Sequence, residues 1–190
     1  MGHSQYENVA SNVLDGMKRL FDPSKNHLSV WVWILNLEHL GYHARGSYRS
    51  ERPKKARASP LHYAALFNMH NIATFLIVEH SQDINALDSY DEETPLNVST
   101  LWGHVEITRV LLERGADIEA PDRYYLSPLK RAIQNRDVEL VQVLLEYGAD
   151  ANAWDKKDRR TPLYFASGWG DLAIIRALQA RSRRESPNRG

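Results

Sequence analysis

Four segments of the chain open with the same pattern, a serine or threonine followed by proline and leucine. The prolines of these openings stand 35, 33 and 34 residues apart, at Pro60, Pro95, Pro128 and Pro162. Serine or threonine before proline is typical of a helix start, because the hydroxyl caps the helix and proline needs no N–H in the first turn. The chain is therefore predicted to be an array of repeats, each of which begins with a helix.

Each repeat is predicted to contain two helices. The first helix is short and carries small residues, and Gly103 and Gly170 end it in two of the repeats. The second carries larger apolar residues at helical spacing, as in residues 140–145, and Gly115 and Gly148 fit the left-handed residue that closes such a helix. Because one helix pair cannot bury its apolar face alone, the repeats must stack on one another.

These segments resemble the ankyrin repeat, a unit of about 33 residues with a T-P-L-H-x-A opening. The resemblance rests on openings such as SPLHYAALFNMHN and TPLNVSTLWGHVE and on the later stretches VLLERGADIEAPD and VLLEYGADANAWD. It implies an all-α ankyrin-repeat solenoid of four helix-turn-helix units with an N-terminal helical cap. The predicted units span residues 58–93, 94–126, 127–160 and 161–180, and residues 181–190 are expected to form a polar tail.

One position departs from the ankyrin pattern throughout the array. Ankyrin repeats usually carry a glycine two residues before the Thr-Pro step, whereas Glu92, Tyr125 and Arg159 stand there. A positive φ is costly for a residue other than glycine. We therefore expect the hairpin tips of this chain to adopt other turns.

Residues 1–57 are predicted to form a helical cap followed by a basic linker. Ser4 and Glu7 form a capping-box pattern that starts an amphipathic helix, and Asp22-Pro23 stops it. The run SVWVWILNLEHL first alternates as a strand would, but it continues to Leu40, and we favour a helix over a strand. Such a helix pair would cover the apolar face that the first repeat leaves open, and residues 41–57 would connect the two.

The segment KRLFDPSKNHLSVWVWILNLE, followed by SPLHYAAL, resembles the region that precedes ankyrin arrays in fungal NACHT-ankyrin proteins. This resemblance implies that the chain is a fragment or a relative of a larger NTPase sensor. The sequence contains no glycine-rich phosphate loop of the GxxxxGK[ST] type. In that case the array would act as a regulatory segment and would not bind nucleotide by itself.

Charge is balanced over the whole chain but not along it. Lysine plus arginine and aspartate plus glutamate both number 24, yet residues 58–126 contain 3 basic and 11 acidic side chains. This acidic surface favours a protein partner with a basic segment and disfavours nucleic acid, because phosphates would be repelled. We expect a monomer that binds no membrane and is located in the cytoplasm. The basic run RPKKAR leaves nuclear import open as an alternative.

The ankyrin resemblance implies that a partner binds the concave face formed by the hairpin tips and the first helices. Aromatic side chains recur at equivalent positions of this face, and aromatic anchors dominate many interfaces. The candidate partner-binding residues are Phe67, Trp102, Trp169, Leu66, Leu101, Tyr90, Tyr124 and Tyr125. In the alternative interpretation, Trp102 and Trp169 only pack between adjacent first helices.

The remaining polar residues predict no catalytic site. His62 and His104 occupy positions at which the family's histidines bond loop backbone and tie one repeat to the next. His39 and His43 have the spacing of metal ligands, but the pattern places no third ligand, and zero cysteines exclude thiolate sites. We therefore expect a non-catalytic binding module without cofactor or metal, with the sensor segment as the alternative.

Overall fold

A computed structural model describes residues 14–22, 24, 58–89, 91–154 and 160–185, without the side chains of residues 184 and 185. This part of the chain is all-α and forms nine helices, eight of them in four successive pairs. The helices are α1 (14–21), α2 (Pro60–Leu66), α3 (His70–His80), α4 (Pro95–Leu101), α5 (Val105–Glu113), α6 (Pro128–Gln134), α7 (Val138–Glu146), α8 (Pro162–Gly168) and α9 (Leu172–Glu185). The predicted fold class is confirmed.

The hydroxyl residues before the prolines begin the first helix of each pair. Thr94 accepts the backbone N–H of Asn97 at 3.2 Å, and Ser127 and Thr161 make the equivalent bond at 3.4 Å. Ser59 instead donates its backbone N–H to Nδ1 of His62 at 3.2 Å. All four predicted helix starts are confirmed, and local hydrogen bonding explains them.

Left-handed backbone ends the first helix in every repeat. The residue that adopts it stands at the equivalent position of each repeat. In two repeats this residue is not glycine, although only glycine adopts a positive φ without strain. The residues are Asn68 (φ 54°), Gly103 (72°), Arg136 (58°) and Gly170 (68°). The tight reversal that follows lets the second helix fold back onto the first within a few residues.

The helix pairs stack side by side into two layers. The first helices α2, α4, α6 and α8 contact one another in order, and the second helices α3, α5, α7 and α9 form the other layer. Fully buried side chains such as Leu76, Leu111 and Leu144 form one core that runs through all four repeats. Stacking of repeats is thus what buries the apolar residues of each pair.

Helix α1 packs on the open side of the first repeat. Phe21 is buried in the common core, and Leu14 and Met17 pack against it. The ammonium of Lys18 lies 5.4 Å from the centroid of the Phe75 ring in α3. The helix ends at residue 21, directly before Asp22-Pro23, as predicted. The predicted second helix of the cap and the basic linker lie outside the described residues.

The expectation that the hairpin tips avoid positive φ is wrong at both tips that can be described. Glu92 has φ 53° and Tyr125 has φ 61°, so both keep the backbone that glycine usually provides. An aspartate holds each tip: Asp88 Oδ1 accepts the backbone N–H groups of Asp91 and Glu93, both at 3.0 Å. These bonds fix the loop and offset the local strain. Arg159 lies outside the described residues.

Asp122 makes the equivalent contacts in the next hairpin. Its Oδ1 accepts the backbone N–H of Tyr124 at 2.8 Å and that of Leu126 at 2.9 Å. Its backbone N–H donates to the carbonyl of Leu126 at 3.1 Å. In both loops an aspartate carboxylate therefore accepts two backbone N–H groups. These bonds hold the left-handed backbone without a glycine at the tip.

We predict that Glu92→Gly stabilises the array. Glycine removes the strain of a left-handed backbone, and part of the gain is lost to the greater freedom of the unfolded chain. The free energy of unfolding should rise by about 0.5–1 kcal/mol. Urea unfolding measures the change, and Glu92→Ala is the matched control because it keeps a Cβ at positive φ. Equal stabilisation by both variants would show that the carboxylate, rather than the backbone, is unfavourable.

Candidate functional site

Hydrogen bonds between successive repeats hold the exposed ends of the first helices in place. His62 Nε2 donates at 2.9 Å to the carbonyl of Glu93, which directly precedes the helix cap Thr94 of the second repeat. His104 Nε2 donates to the carbonyl of Leu66 in the first repeat at 3.0 Å. Asn135 Nδ2 donates to the carbonyl of Leu101 at 3.0 Å. The two histidines thus tie repeats together as predicted, and they orient the backbone that carries the candidate residues.

Three aromatic side chains stand at the same position in three repeats. Phe67, Trp102 and Trp169 each cap the C-terminal end of a first helix and are 42%, 50% and 42% exposed. Leu66 and Leu101, one residue earlier, are half-buried. We call Phe67, Trp102 and Trp169 the aromatic line. Asn135 occupies the equivalent position in the third repeat, so the line is interrupted there.

The contacts of the aromatic line differ between repeats. The Trp169 ring lies 6.2 Å from the ring of Phe165 on the same helix, with an angle of 34° between the planes. Among the described residues, the Phe67 and Trp102 rings make no such ring contact. About half of each side chain faces outward, which leaves the rings available to a partner.

Two of the three hairpin candidates, Tyr124 and Tyr125, lie at the second hairpin. Tyr124 and Tyr125 are both exposed, and the guanidinium of Arg123 lies 5.2 Å from the Tyr124 ring centroid. The backbone N–H of Arg123 donates to the carbonyl of Asp91 at 3.1 Å, which ties this hairpin to the preceding one. Tyr90 lies outside the described residues.

A second group of aromatic residues, not predicted from the sequence, lies at the junction of the third and fourth repeats. Trp154 is 65% exposed, and Tyr164 and Phe165 follow it on α8. The sequence did carry a signal. The residues directly before Asp88, Asp122 and Asp155 occupy equivalent positions of the repeats, and all three are exposed: Leu87, Pro121 and Trp154. Sequence reasoning considered the positions after the small residues of the first helix and the tyrosines of the first two hairpins, and so overlooked this position.

Trp154 and Phe165 line an open cavity of about 280 Å³, which we call the aromatic cavity. Its apolar walls include Pro121, Tyr125, Trp154, Pro162 and Phe165. Two cations also line it. They belong to Lys130 and Arg160. The ammonium of Lys130 lies 4.7 Å from the ring centroid of Phe165, and the guanidinium of Arg160 lies 4.6 Å from the ring centroid of Tyr164. The cavity therefore offers aromatic faces next to positive charge.

A neighbouring cavity of about 410 Å³ has the opposite charge, and we call it the acidic cavity. It lies between the first two hairpins, and its walls include Leu87, Glu92, Asp117 and Tyr125. Arg123 also lines it, but its guanidinium is paired with the Asp91 carboxylate at 3.1 Å. Negative charge therefore predominates in this cavity.

A buried cluster of charges lies beneath the acidic cavity. Arg131 pairs with Asp122, and its guanidinium lies 3.8 Å from Oε1 of Glu93. Burial raises the pKa of the Glu93 carboxyl from 4.5 to about 7. The charge of Arg131 opposes this rise, and the carboxylates of Asp91, Asp88 and Asp122 add to it. Burial and the neighbouring carboxylates thus outweigh the half-buried guanidinium of Arg131, and together they favour a neutral Glu93.

The described residues offer neither a metal site nor a membrane-spanning helix. They contain no group of histidine and carboxylate side chains that could hold a metal ion. None of their helices is both long and apolar enough to cross a bilayer. The histidine pair His39 and His43 lies outside these residues.

Two family models match the chain. A model described as ankyrin repeats (3 copies) matches residues 25–122, and one described as ankyrin repeats (many copies) matches residues 129–179. The first match covers more than half of the chain and begins within the segment predicted as the cap.

Curated proteins that resemble the chain are of diverse kinds. Human ankyrin repeat domain-containing protein 13B is 40% identical over 42% of this chain and 12% of its own length. The Arabidopsis thaliana serine/threonine-protein kinase VIK is 34% identical over 44% of the chain and 19% of its own length. The probable 26S proteasome regulatory subunit p28 of Saccharomyces cerevisiae is 24% identical over 70% of the chain and 75% of its own length. The chain thus spans only a small part of the first two relatives.

We predict that stability depends on pH through Glu93. Its pKa is 4.5 when exposed and about 7 in the folded chain, so the folded state binds more protons between these values. The free energy of unfolding should therefore fall as the pH rises from about 4.5 to 7, by roughly 3 kcal/mol from this group. Glu93→Gln should remove this contribution and be the more stable protein above pH 7.

The measurement is urea unfolding of both proteins between about pH 5 and 8 at constant ionic strength. The difference between the two curves isolates Glu93, because all other titrating groups are shared. Glu139→Gln is the matched control, since Glu139 is exposed on a second helix. Parallel curves for wild type and Glu93→Gln would contradict the prediction.

Proposed function

The chain belongs to the ankyrin-repeat family, and on this premise we propose that it is a non-catalytic module that binds a protein segment. The binding surface is the concave face, which carries the hairpins, the aromatic line and the two cavities. Ankyrin repeats are generally protein-binding modules. The similarity to the kinase VIK lies within the repeat region and so supports no catalytic role.

The observation that carries this proposal is the exposure of Phe67, Trp102 and Trp169 at one repeated position. Large aromatic side chains bury much apolar area on binding and lose little conformational entropy, so they often dominate an interface. The interrepeat hydrogen bonds of His104 and Asn135 fix the backbone beneath the line. A rigid backbone lowers the entropic cost of association.

The charge of the surface supports a protein partner rather than nucleic acid. Exposed carboxylates such as Glu92 and Asp117 lie at the first two hairpins, where a phosphate backbone would be repelled. A partner with basic side chains fits this end of the concave face. We propose that the chain binds it as a monomer, in the cytoplasm or the nucleus.

A second candidate function is that of a regulatory segment in a larger NACHT-type NTPase sensor, where the array would act on its own protein. Arrays of this kind do occur inside much longer chains, since the aligned part is 12% of human protein 13B. In this case the partner of the concave face is another segment of the same chain. An NTPase region encoded directly upstream of residue 1 would favour this function.

We predict that Trp102→Ala combined with Trp169→Ala abolishes partner capture without unfolding the array. Each truncation of a binding hot spot costs about 2 kcal/mol, a factor of roughly 30 in affinity. The measurement is affinity capture from a host lysate, with captured proteins quantified by mass spectrometry. Circular dichroism confirms that the variant is folded.

The matched control is Val78→Ala combined with Tyr147→Ala, which removes exposed apolar side chains of the second-helix layer. Proteins captured by wild type and by this control, but lost from the tryptophan variant, would identify partners of the concave face. If wild type and the tryptophan variant capture the same proteins, the aromatic line is structural and the proposal fails.

A further inference from the structure

The aromatic cavity and the acidic cavity adjoin each other and differ in charge. Pro121 and Tyr125 line both of them, so the two form a continuous surface to which all four repeats contribute. Neighbouring packed helices lie about 8–10 Å apart, and the two cavities are one repeat apart. An extended chain covers this distance in about three residues. A single short segment can therefore reach both cavities.

The acidic cavity has the features of a site for a lysine or arginine side chain. Glu92 is exposed, and within the described part of the chain no cation pairs with its carboxylate. Asp117 adds a second carboxylate to the lining. Exposed Leu87 and the face of Tyr125 offer apolar contact for the aliphatic part of the side chain, and the ring can also attract its charge.

The aromatic cavity has the features of a site for an acidic side chain. Arg160 contacts the Tyr164 ring, and no carboxylate among the described residues pairs with its guanidinium. Lys130, in the third repeat, lies over the ring of Phe165 in the fourth repeat. A carboxylate placed between these cations would be stabilised, and its methylene groups would contact Trp154 and Phe165. The one acidic residue of the lining, Glu119, already accepts the backbone N–H of Asp150 at 2.8 Å.

We propose that the two cavities together bind one extended protein segment that carries a lysine or arginine and, about three residues away, an aspartate or glutamate. This proposal rests on the proposed function and names the chemistry of the partner. A uniformly basic segment would place a cation against Lys130 and Arg160. A uniformly acidic segment would place a carboxylate against Glu92 and Asp117. Only a segment of mixed charge satisfies both cavities.

The test is selection from a phage-displayed random dodecapeptide library on the purified chain. Peptides enriched on the wild type should share one basic and one acidic residue at a spacing of about three. On Glu92→Lys the basic preference should be lost, and on Arg160→Glu the acidic preference should be lost. Glu79→Lys and Arg176→Glu are matched controls, because they make the same charge changes at exposed positions of the second helices. Circular dichroism establishes that all variants fold.

A charge exchange then distinguishes recognition from an indirect effect. The best wild-type peptide should bind Glu92→Lys about tenfold more weakly, because attraction is replaced by repulsion. The same peptide with its basic residue changed to glutamate should bind Glu92→Lys better than it binds wild type. An indirect structural effect of the substitution would not produce this reversal.

The outcomes separate this proposal from the proposed function. Enriched peptides without the charge pair, whose binding is lost in the Trp102→Ala/Trp169→Ala variant, would overturn the charge proposal and leave the binding module standing. The same charge preference on Glu92→Lys, Arg160→Glu and the controls would also overturn it. If no peptide is enriched on the wild type, the charge proposal fails, whereas the binding module fails only if wild type and the tryptophan variant capture the same proteins from the lysate.

Discussion

No repeat of this chain can bury its own apolar face, and the rest of the structure depends on that constraint. The core passes without interruption from Phe21 of α1 through Leu76, Leu111 and Leu144. Stacking brings each first helix against the next. There His104 and Asn135 donate to backbone carbonyls of the preceding repeat, and His62 donates to the carbonyl directly before the second repeat. The packing that stabilises the array therefore also sets the spacing and orientation of every candidate binding residue.

The same stacking explains the cluster around Arg131. Its carboxylate partners come from two successive hairpins, Glu93 from one and Asp122 from the next, so the cluster forms only when the repeats are docked. Burial favours a neutral Glu93, whereas the guanidinium favours the ionised form, and burial has the larger effect. The hairpins thus combine ion pairs that fix their backbone with exposed carboxylates such as Glu92 and Asp117. A surface fixed in this way pays a smaller entropic cost when it binds a partner.

Sequence reasoning was most successful where the cause of structure is local. The caps Ser59, Thr94, Ser127 and Thr161 and the period of the repeats predicted the helix pairs, because each cap bonds within its own turn. It placed the aromatic line on the surface but missed the aromatic cavity. Trp154 and Phe165 are eleven positions apart in sequence, but Tyr125 and Lys130, which line the same cavity, lie 29 and 24 positions before Trp154. Only the stacked array brings these four side chains together.

The wrong expectation about the hairpin tips points to the feature that distinguishes this surface. Glycine would adopt the left-handed backbone at residues 92 and 125 without strain, yet these positions are occupied by Glu92 and Tyr125, which have large side chains. Asp88 and Asp122 hold the strained loops by accepting several backbone N–H groups each. Glu92 and Tyr125 both line the acidic cavity, and Tyr125 also lines the aromatic cavity. The local strain therefore coincides with the side chains that give the surface its charge and shape, which is the expected arrangement where a binding site, rather than stability, determines the residue.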